Sequence, residues 1–335
     1  MRKVVLPLLL LFITFQAFAQ STLLRVQAKQ GDGIYTLLRR HGLSTAQLKE
    51  FLDLNKDNLG ENNSLYAGRT YILPAKGSKT ETGAAEPTPS KVMTVPIFGK
   101  KYERVELIDQ KLKGAVYYLV SGHGGPDPGA VGKYGPYKLA EDEYAYDVTI
   151  RLARRLMEHG ATVYMIIRDE KDGIRDENIL KMDQDEKNYN GSPVSRSQVQ
   201  RLRQRVNAIN SLYAKHKGAY QRMVTLHIDS RSERKNIDVF FYHHENSSDG
   251  KKLAESIHDT FDRKYNRHQP SRDYSGTVSH RSSLYVVKYS HPPTVFIELG
   301  NIRNDLDQRR LVIPNNRQAL ANWICDGIIA DYKSK

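Results

Sequence analysis

Short apolar runs alternate with segments of helical period along most of the chain. Ala115 to Val120 is an unbroken apolar run of the kind that forms a strand buried on both faces. From Tyr144 to His159, Val148, Leu152 and Leu156 recur four apart, and Gly160 stops the helix they predict. Thr162 to Arg168 reads as the next strand. A helix over about Ser197 to Lys215 sets Val199, Leu202, Val206, Ile209 and Leu212 on one face, and its Arg201, Arg203 and Arg205 read as a solvated face. Strands over Arg222–His227 and Ile237–Tyr242, a helix over Lys251–Tyr265 and a strand over Thr294–Glu298 follow. A last helix carries Leu320, Trp323 and Ile324. This alternation predicts an α/β domain over residues 96–335, with a mixed, largely parallel sheet and flanking helices.

The first part of the chain has a different rhythm. Val26 opens a short strand, and Gly31-Asp32-Gly33 turns into a helix over Ile34 to His41 that Gly42 ends. Ser44 caps a second helix with Leu48, Phe51 and Leu52, which ends near Asn55. Leu65, Gly68, Tyr71, Leu73 and Pro74 read as a turn and a closing strand. This βααβ module over 22–74, with its HGLS, LN and G-x-x-Y-x-L-P segments, resembles a LysM domain. The resemblance implies binding of N-acetylglucosamine-containing glycans, with Gly31, Asp32 and Asn55 as contact residues. Gly33-Ile34 departs from that family, which usually has a hydroxyl residue there.

Residues 75–95, low in apolar content and rich in Pro, Ser, Thr and Gly, read as a linker. Residues 1–19 read as a cleavable signal peptide: Arg2 and Lys3, an apolar stretch from Val4 to Phe15, then Ala17-Phe18-Ala19. That predicts export to a periplasm or cell surface, with no membrane span after cleavage. Cys325 is the only cysteine, so no intramolecular disulfide forms. The formal charge of +13 falls to +11 without the leader's two cations. Such a charge suits an anionic polymer; no nucleic-acid motif accompanies it, and the chain is expected to be a monomer that binds no nucleic acid.

Three ionisable residues close apolar strands. His123 lies in Ser121-Gly122-His123-Gly124-Gly125, His227 ends the run from Met223, and Glu298 ends the run from Thr294. Open α/β sheets gather their chemistry at the carboxyl ends of strands. Two histidines and a carboxylate are a zinc-binding combination that leaves a coordination position open. Taken singly, His123 is also at home in a glycine turn and His227 in a core. A carboxylate after four apolar residues needs a partner or a job.

The segment from Val120 to Gly132, reading VSGHGGPDPGAVG, is similar to the DAGHGGxDPGAxG motif of the zinc-dependent N-acetylmuramoyl-L-alanine amidases of the amidase-3 family. Arg168-Asp169 after a strand, TLHID (Thr225 to Asp229) for SIHAD, and VFIELGNIRN (Val295 to Asn304) for VELGFLSN extend the resemblance. It implies a single α/β domain with a six-stranded sheet and one zinc ion per chain. His123 and His227 would be metal ligands, Glu298 the catalytic carboxylate, and peptidoglycan the substrate. The remaining ligand is Glu141 on an ungapped count from the following helix, with Glu143 as its competitor. Asn301 and Arg303 depart from the family just past Glu298. Lys171 to Pro193 reads as a lid or rim, or as a disordered insert. Too few residues lie between Tyr242 and Leu253 for the self-blocking helix of the division amidases, so activity without an activator is expected. A zinc peptidase acting on the stem peptide, and a non-catalytic wall-binding protein, are the alternatives.

Overall fold

The computed structural model describes residues 23–29, 32–43, 47–60, 65–75 and 92–335. The predicted signal peptide, Gly31, Ser44 and most of the predicted linker fall outside them. The chain divides into two units, Met1–Glu86 and Pro87–Lys335.

In the first unit, β1 (Arg25–Gln27), α1 (Ile34–Arg40), α2 (Leu48–Asn55) and β2 (Thr70–Ile72) follow in the expected order. The strands pair antiparallel with Val26 opposite Tyr71. Leu37, Leu38, Phe51, Tyr71 and Leu73 close a small core around them. Gly42 adopts φ 72°, the left-handed turn that ends α1 at little steric cost.

The second unit begins earlier than the composition suggests. Val92–Thr94 (β3), inside the stretch read as linker, pairs antiparallel with Arg104–Glu106 (β4). Three residues between prolines carry too little pattern to announce a strand. Then come β5 (Ala115–Ser121), a hairpin of β6 (Val131–Tyr134) and β7 (Tyr137–Ala140), α3 (Glu141–Glu158) and β8 (Thr162–Met165). The predicted strand to Arg168 breaks after Met165, and Ile167–Arg168 (β9) pairs instead with Lys187–Asn188 (β10). The remaining elements are α4 (Gln198–Lys215), β11 (Tyr220–Asp229), β12 (Phe240–His243), α5 (Ser248–His268), β13 (Thr277–His280), α6 (Tyr285–Tyr289), β14 (Thr294–Asn301), α7 (Asp305–Val312) and α8 (Pro314–Lys333). Only four residues separate β12 from α5, so no helix is inserted there.

The central sheet has six strands in the order β13-β12-β14-β11-β5-β8. β8, β5, β11 and β14 run parallel; β12 is antiparallel to β14 and carries β13 parallel to itself. The architecture is the mixed, largely parallel α/β sheet expected. One face packs Leu119, Val224, Leu226, Val295 and Ile297 with apolar residues of α3, α5 and α8. The other packs Val120, Met223 and Phe296 with Val206, Ile209 and Leu212 of α4 and Val286 and Val287 of α6. Val199, predicted on the buried face of α4, is instead 52% exposed because the helix has only just begun there.

Residues 171–193 are fastened to the domain. Arg175 Nη1 donates to Glu143 Oε2 at 2.8 Å, Asp183 N–H donates to Glu143 Oε1 at 2.8 Å, and Gly125 N–H donates to Glu186 Oε2 at 2.6 Å. None of the helices among the described residues is long and apolar enough to cross a membrane.

Candidate metal and catalytic site

β5 and β11 are adjacent and parallel, so the loop after β5 and the carboxyl end of β11 come together. His123 sits in that loop at φ 60°, in the left-handed region that non-glycine residues seldom adopt. The glycines around it are required by close approach. A Cβ on Gly122 would lie 2.4 Å from His227 Nδ1, and one on Gly129 would lie 2.6 Å from both Glu141 Oε2 and His123 Cδ2.

Glu141 is the first residue of α3, where a carboxylate complements the helix dipole. Its two oxygens reach the two histidines: Oε2 is 3.2 Å from His123 Nε2, and Oε1 is 2.9 Å from His227 Nδ1. Backbone N–H groups of Ala130 and Ile228 donate to the same two oxygens at 2.9 and 3.0 Å. One donor atom from each of His123, Glu141 and His227 falls within 4.8 Å of the others. Two imidazole nitrogens and one carboxylate, converging at the ends of strands, fit a divalent metal ion. Glu143 lies elsewhere, taken up by Arg175 and Asp183. It belongs to a second buried acidic group with Asp142 and Glu186, in which burial pushes Asp142 up to about 8 and Glu186 up to about 7.

Behind the histidines lies a layer the sequence reading assigned to solvent. Asp127 Oδ2 is 2.9 Å from His123 Nδ1 and accepts from Arg201 Nη2 at 2.5 Å. Arg205 donates to the carbonyl of His123. Arg201 and Arg205 are 8% and 4% exposed, so two of the three arginines read as a solvated face are buried and only Arg203 is exposed. The reason is periodicity: 201 and 205 form an i, i+4 stripe turned toward the His123 loop. The aspartate in the Gly-Pro-Asp-Pro turn was the available signal, since a histidine that grips a metal keeps its other nitrogen on such a partner.

The charges of the site arrange themselves around Glu141. Burial opposes its ionisation, but hydrogen bonds from His123 and His227 hold it well below the usual carboxylate range. Burial also opposes a charge on His123, yet Asp127 and Glu141 raise its pKa to about 9. Burial lowers that of His227.

Glu298 lies opposite His227 in the parallel β11–β14 pairing. It is 8% exposed, and its Oε2 is buried with no hydrogen-bond partner among the described residues. Burial, then the carboxylates of Glu141 and Asp229, push its pKa well above the usual value. A divalent cation beside it would act in the opposite sense. Asn301, one of the departures past Glu298, is a fixture of the fold: its amide donates to the carbonyls of Ser232 and Lys235 at 2.9 and 2.8 Å.

Two of the three residues predicted to touch glycan, Asp32 and Asn55, hold their own unit together. Asn55 donates to the carbonyls of Phe51 and Ile72 at 2.7 and 2.8 Å and accepts the Ile72 N–H at 2.8 Å. Asp32 accepts the Lys29 N–H at 2.7 Å and pairs with Arg40 at 2.6 Å.

A family model described as N-acetylmuramoyl-L-alanine amidase matches residues 118–330. A germination-specific N-acetylmuramoyl-L-alanine amidase of Bacillus subtilis (strain 168) is 27% identical over 225 residues, covering 67% of this chain and 82% of that one. Among solved structures, the CwlD amidase of Clostridioides difficile in complex with the GerS lipoprotein is 19% identical with a TM-score of 0.49. That match covers 66% of this chain and 99% of that one. The amidase Ami1 of Mycobacterium smegmatis is 18% identical with a TM-score of 0.49, covering 67% and 99%.

Proposed function

The chain belongs to the N-acetylmuramoyl-L-alanine amidase family, and from that membership we propose how its residues perform the reaction. It is a peptidoglycan amidase, hydrolysing the amide between N-acetylmuramic acid and the L-alanine of the stem peptide. His123, Glu141 and His227 hold one zinc ion, and Glu298 is the catalytic carboxylate. The observation that carries this is the orphaned, buried Glu298 oxygen beside three converging donors. An unpaired buried carboxylate is costly unless it has work to do.

An amide resists hydrolysis because its carbonyl is a weak electrophile and its nitrogen leaves badly unless protonated. Zinc in such a site polarises a carbonyl and brings the pKa of a water molecule from about 16 toward about 7. Glu298 accepts the proton of the attacking water as its oxygen bonds to the carbonyl carbon. It then gives that proton to the nitrogen as the C–N bond breaks, releasing a lactyl carboxylate and the alanine amine. Burial raises the proton affinity of Glu298 and a neighbouring divalent cation would lower it, opposing pulls that suit a group that first accepts and then returns a proton. Asp127, braced by Arg201, fixes the ring of His123, and the backbone N–H groups of Ala130 and Ile228 aim Glu141.

The first unit is a LysM-like module that holds wall glycan, and the linker keeps the enzyme near its substrate, raising the effective substrate concentration. The leader exports the protein, and it acts outside the cytoplasm. Metal analysis of the wild type beside His123→Ala and His227→Ala, with mass spectrometry of digested sacculi, tests the assignment. One zinc per wild-type chain, none in the variants and intact stem peptides in the digest are expected. Shortened stem peptides would identify a peptidase instead, and a metal-free, inert wild type a wall-binding protein.

A further inference from the structure

Beside the site, one face of the sheet carries a row of aromatic rings. Side chains alternate along strands, so Phe296 shares a face with Glu298, and Phe240 with Tyr242. Phe240 lies opposite Glu298 and Tyr242 opposite Phe296 across the β12–β14 pairing. Phe296 stacks on the His227 ring with centroids 4.3 Å apart, Tyr242 is 6.2 Å from Phe296, and Phe240 is 6.4 Å from Tyr242. The row of rings, largely buried, is therefore continuous from a proposed metal ligand to β12.

Two arginines border it and differ in one respect. The Arg231 guanidinium lies 5.4 Å from the Phe240 ring and is neutralised by Asp229 at 2.5 Å. The Arg281 guanidinium lies 5.3 Å from the Tyr242 ring, and no side-chain ion pair or hydrogen bond engages it among the described residues. Arg281 is exposed, yet its backbone is fixed: its N–H donates to His243 O at 2.9 Å, and its carbonyl accepts from Leu284 at 3.2 Å. Its charge reaches the catalytic carboxylate, where it works against burial and the neighbouring Glu141 and Asp229. An aromatic face steadies a guanidinium without using its N–H donors. The result is a pre-positioned fork that fits a planar carboxylate two-pronged.

The substrate has such groups on one side only. The single carboxyl of muramic acid is consumed in the scissile amide, so a free carboxylate near the cut must belong to the stem peptide. We infer that Arg281 is a specificity residue, pairing with a carboxylate of the stem peptide. The inference rests on the amidase reading above.

The test uses two synthetic N-acetylmuramoyl peptides of one sequence, with the stem carboxylates free in one and amidated in the other. Against the free acid, Arg281→Ala in the full chain loses about tenfold to a hundredfold in kcat/KM, the range of a lost charge-assisted hydrogen bond, mostly through KM. Against the amidated peptide its loss is several-fold smaller, confined to what the Arg281 charge contributes at Glu298. Arg281→Lys, which keeps the charge and loses the fork, falls between. Zinc content and melting temperature stay at wild-type values, because the guanidinium has no charged partner to abandon. Equal losses on both peptides, or none on either, overturn the inference while leaving the amidase reading intact. A wild type that cleaves neither peptide brings down the amidase reading first.

Discussion

Asp147 and Glu298 are both buried carboxylates on regular elements of the second unit, and their surroundings are opposite in kind. Asp147, on α3 and 0% exposed, accepts from Arg151 Nε at 2.7 Å, Arg317 Nε at 2.6 Å and the Arg175 N–H at 2.9 Å. Arg317, equally buried, donates three further hydrogen bonds to the carbonyls of Leu311, Arg175 and Glu177. That cluster closes on itself. Around Glu298 the charges are mixed, with Glu141 and Asp229 outweighing Arg281 and His123, and one oxygen has no partner among the described residues. A buried charge that serves the fold is matched from within the chain. One that serves chemistry keeps a valence open for what the chain binds.

The sharpest way to break this contrast is to neutralise each side. Glu298→Gln keeps the shape and removes the proposed proton shuttle, so sacculus digestion should slow by about 10² to 10⁴-fold, the usual worth of acid–base catalysis. Because it removes an unmatched buried charge, the unfolding midpoint should hold or rise. A near-normal rate, or a marked fall in stability, would show Glu298 to be structural. Arg317→Ala should do the reverse. It removes one of the two guanidiniums on Asp147 together with the donors to three carbonyls and costs about 3–5 kcal/mol, read as a lowered urea midpoint, while the folded fraction keeps its metal content and its specific activity. An unchanged midpoint would mean that the Asp147 cluster contributes nothing to the fold.

The sequence made the open side more legible than the closed one. His123, His227 and Glu298 stood out because polar residues ended apolar runs, and the structure brings Glu141 to both histidines through one carboxylate. The closed cluster left no such mark: Asp147 and Arg317 are 170 residues apart, and pairing across that distance has no local pattern. Arg201 and Arg205 were misread for a related reason. A charged stripe on a helix reads as solvated unless one knows what packs against it, and here the His123 loop does. The hairpin of β6 and β7, strand β13 and the short helices α6 and α7 were missed because four to eight residues carry too little periodicity. The long helices and core strands were found, since their apolar spacing is the packing itself.

Asp127 and Arg201 sit between the two kinds, a matched pair that serves an unmatched site. Removing the support should therefore have an intermediate effect. Asp127→Asn or Arg201→Ala is expected to weaken zinc binding about tenfold to a hundredfold, measured by competition with a chromogenic chelator. Wild-type affinity in both variants would confine the pair to loop architecture.

Cys325 offers the gentlest probe, because it is buried with neither a matching charge nor an open valence. It lies at 0% exposure on α8, the helix that also carries Arg317, and burial pushes its thiol up to about 12 despite the pull of Arg155. Only about one molecule in 10⁵ carries the reactive thiolate at neutral pH, and reagent reaches it only when the helix opens. Native protein should therefore ignore a disulfide reagent for as long as it stays folded, then titrate one thiol in denaturant. Where opening and closing outpace labelling, the rate follows the open population. Arg317→Ala should then label faster in proportion to its lost stability, and Glu298→Gln should label like wild type. Equal acceleration in both variants would mean that the two clusters are coupled through the sheet and that their separation into structural and chemical roles is wrong.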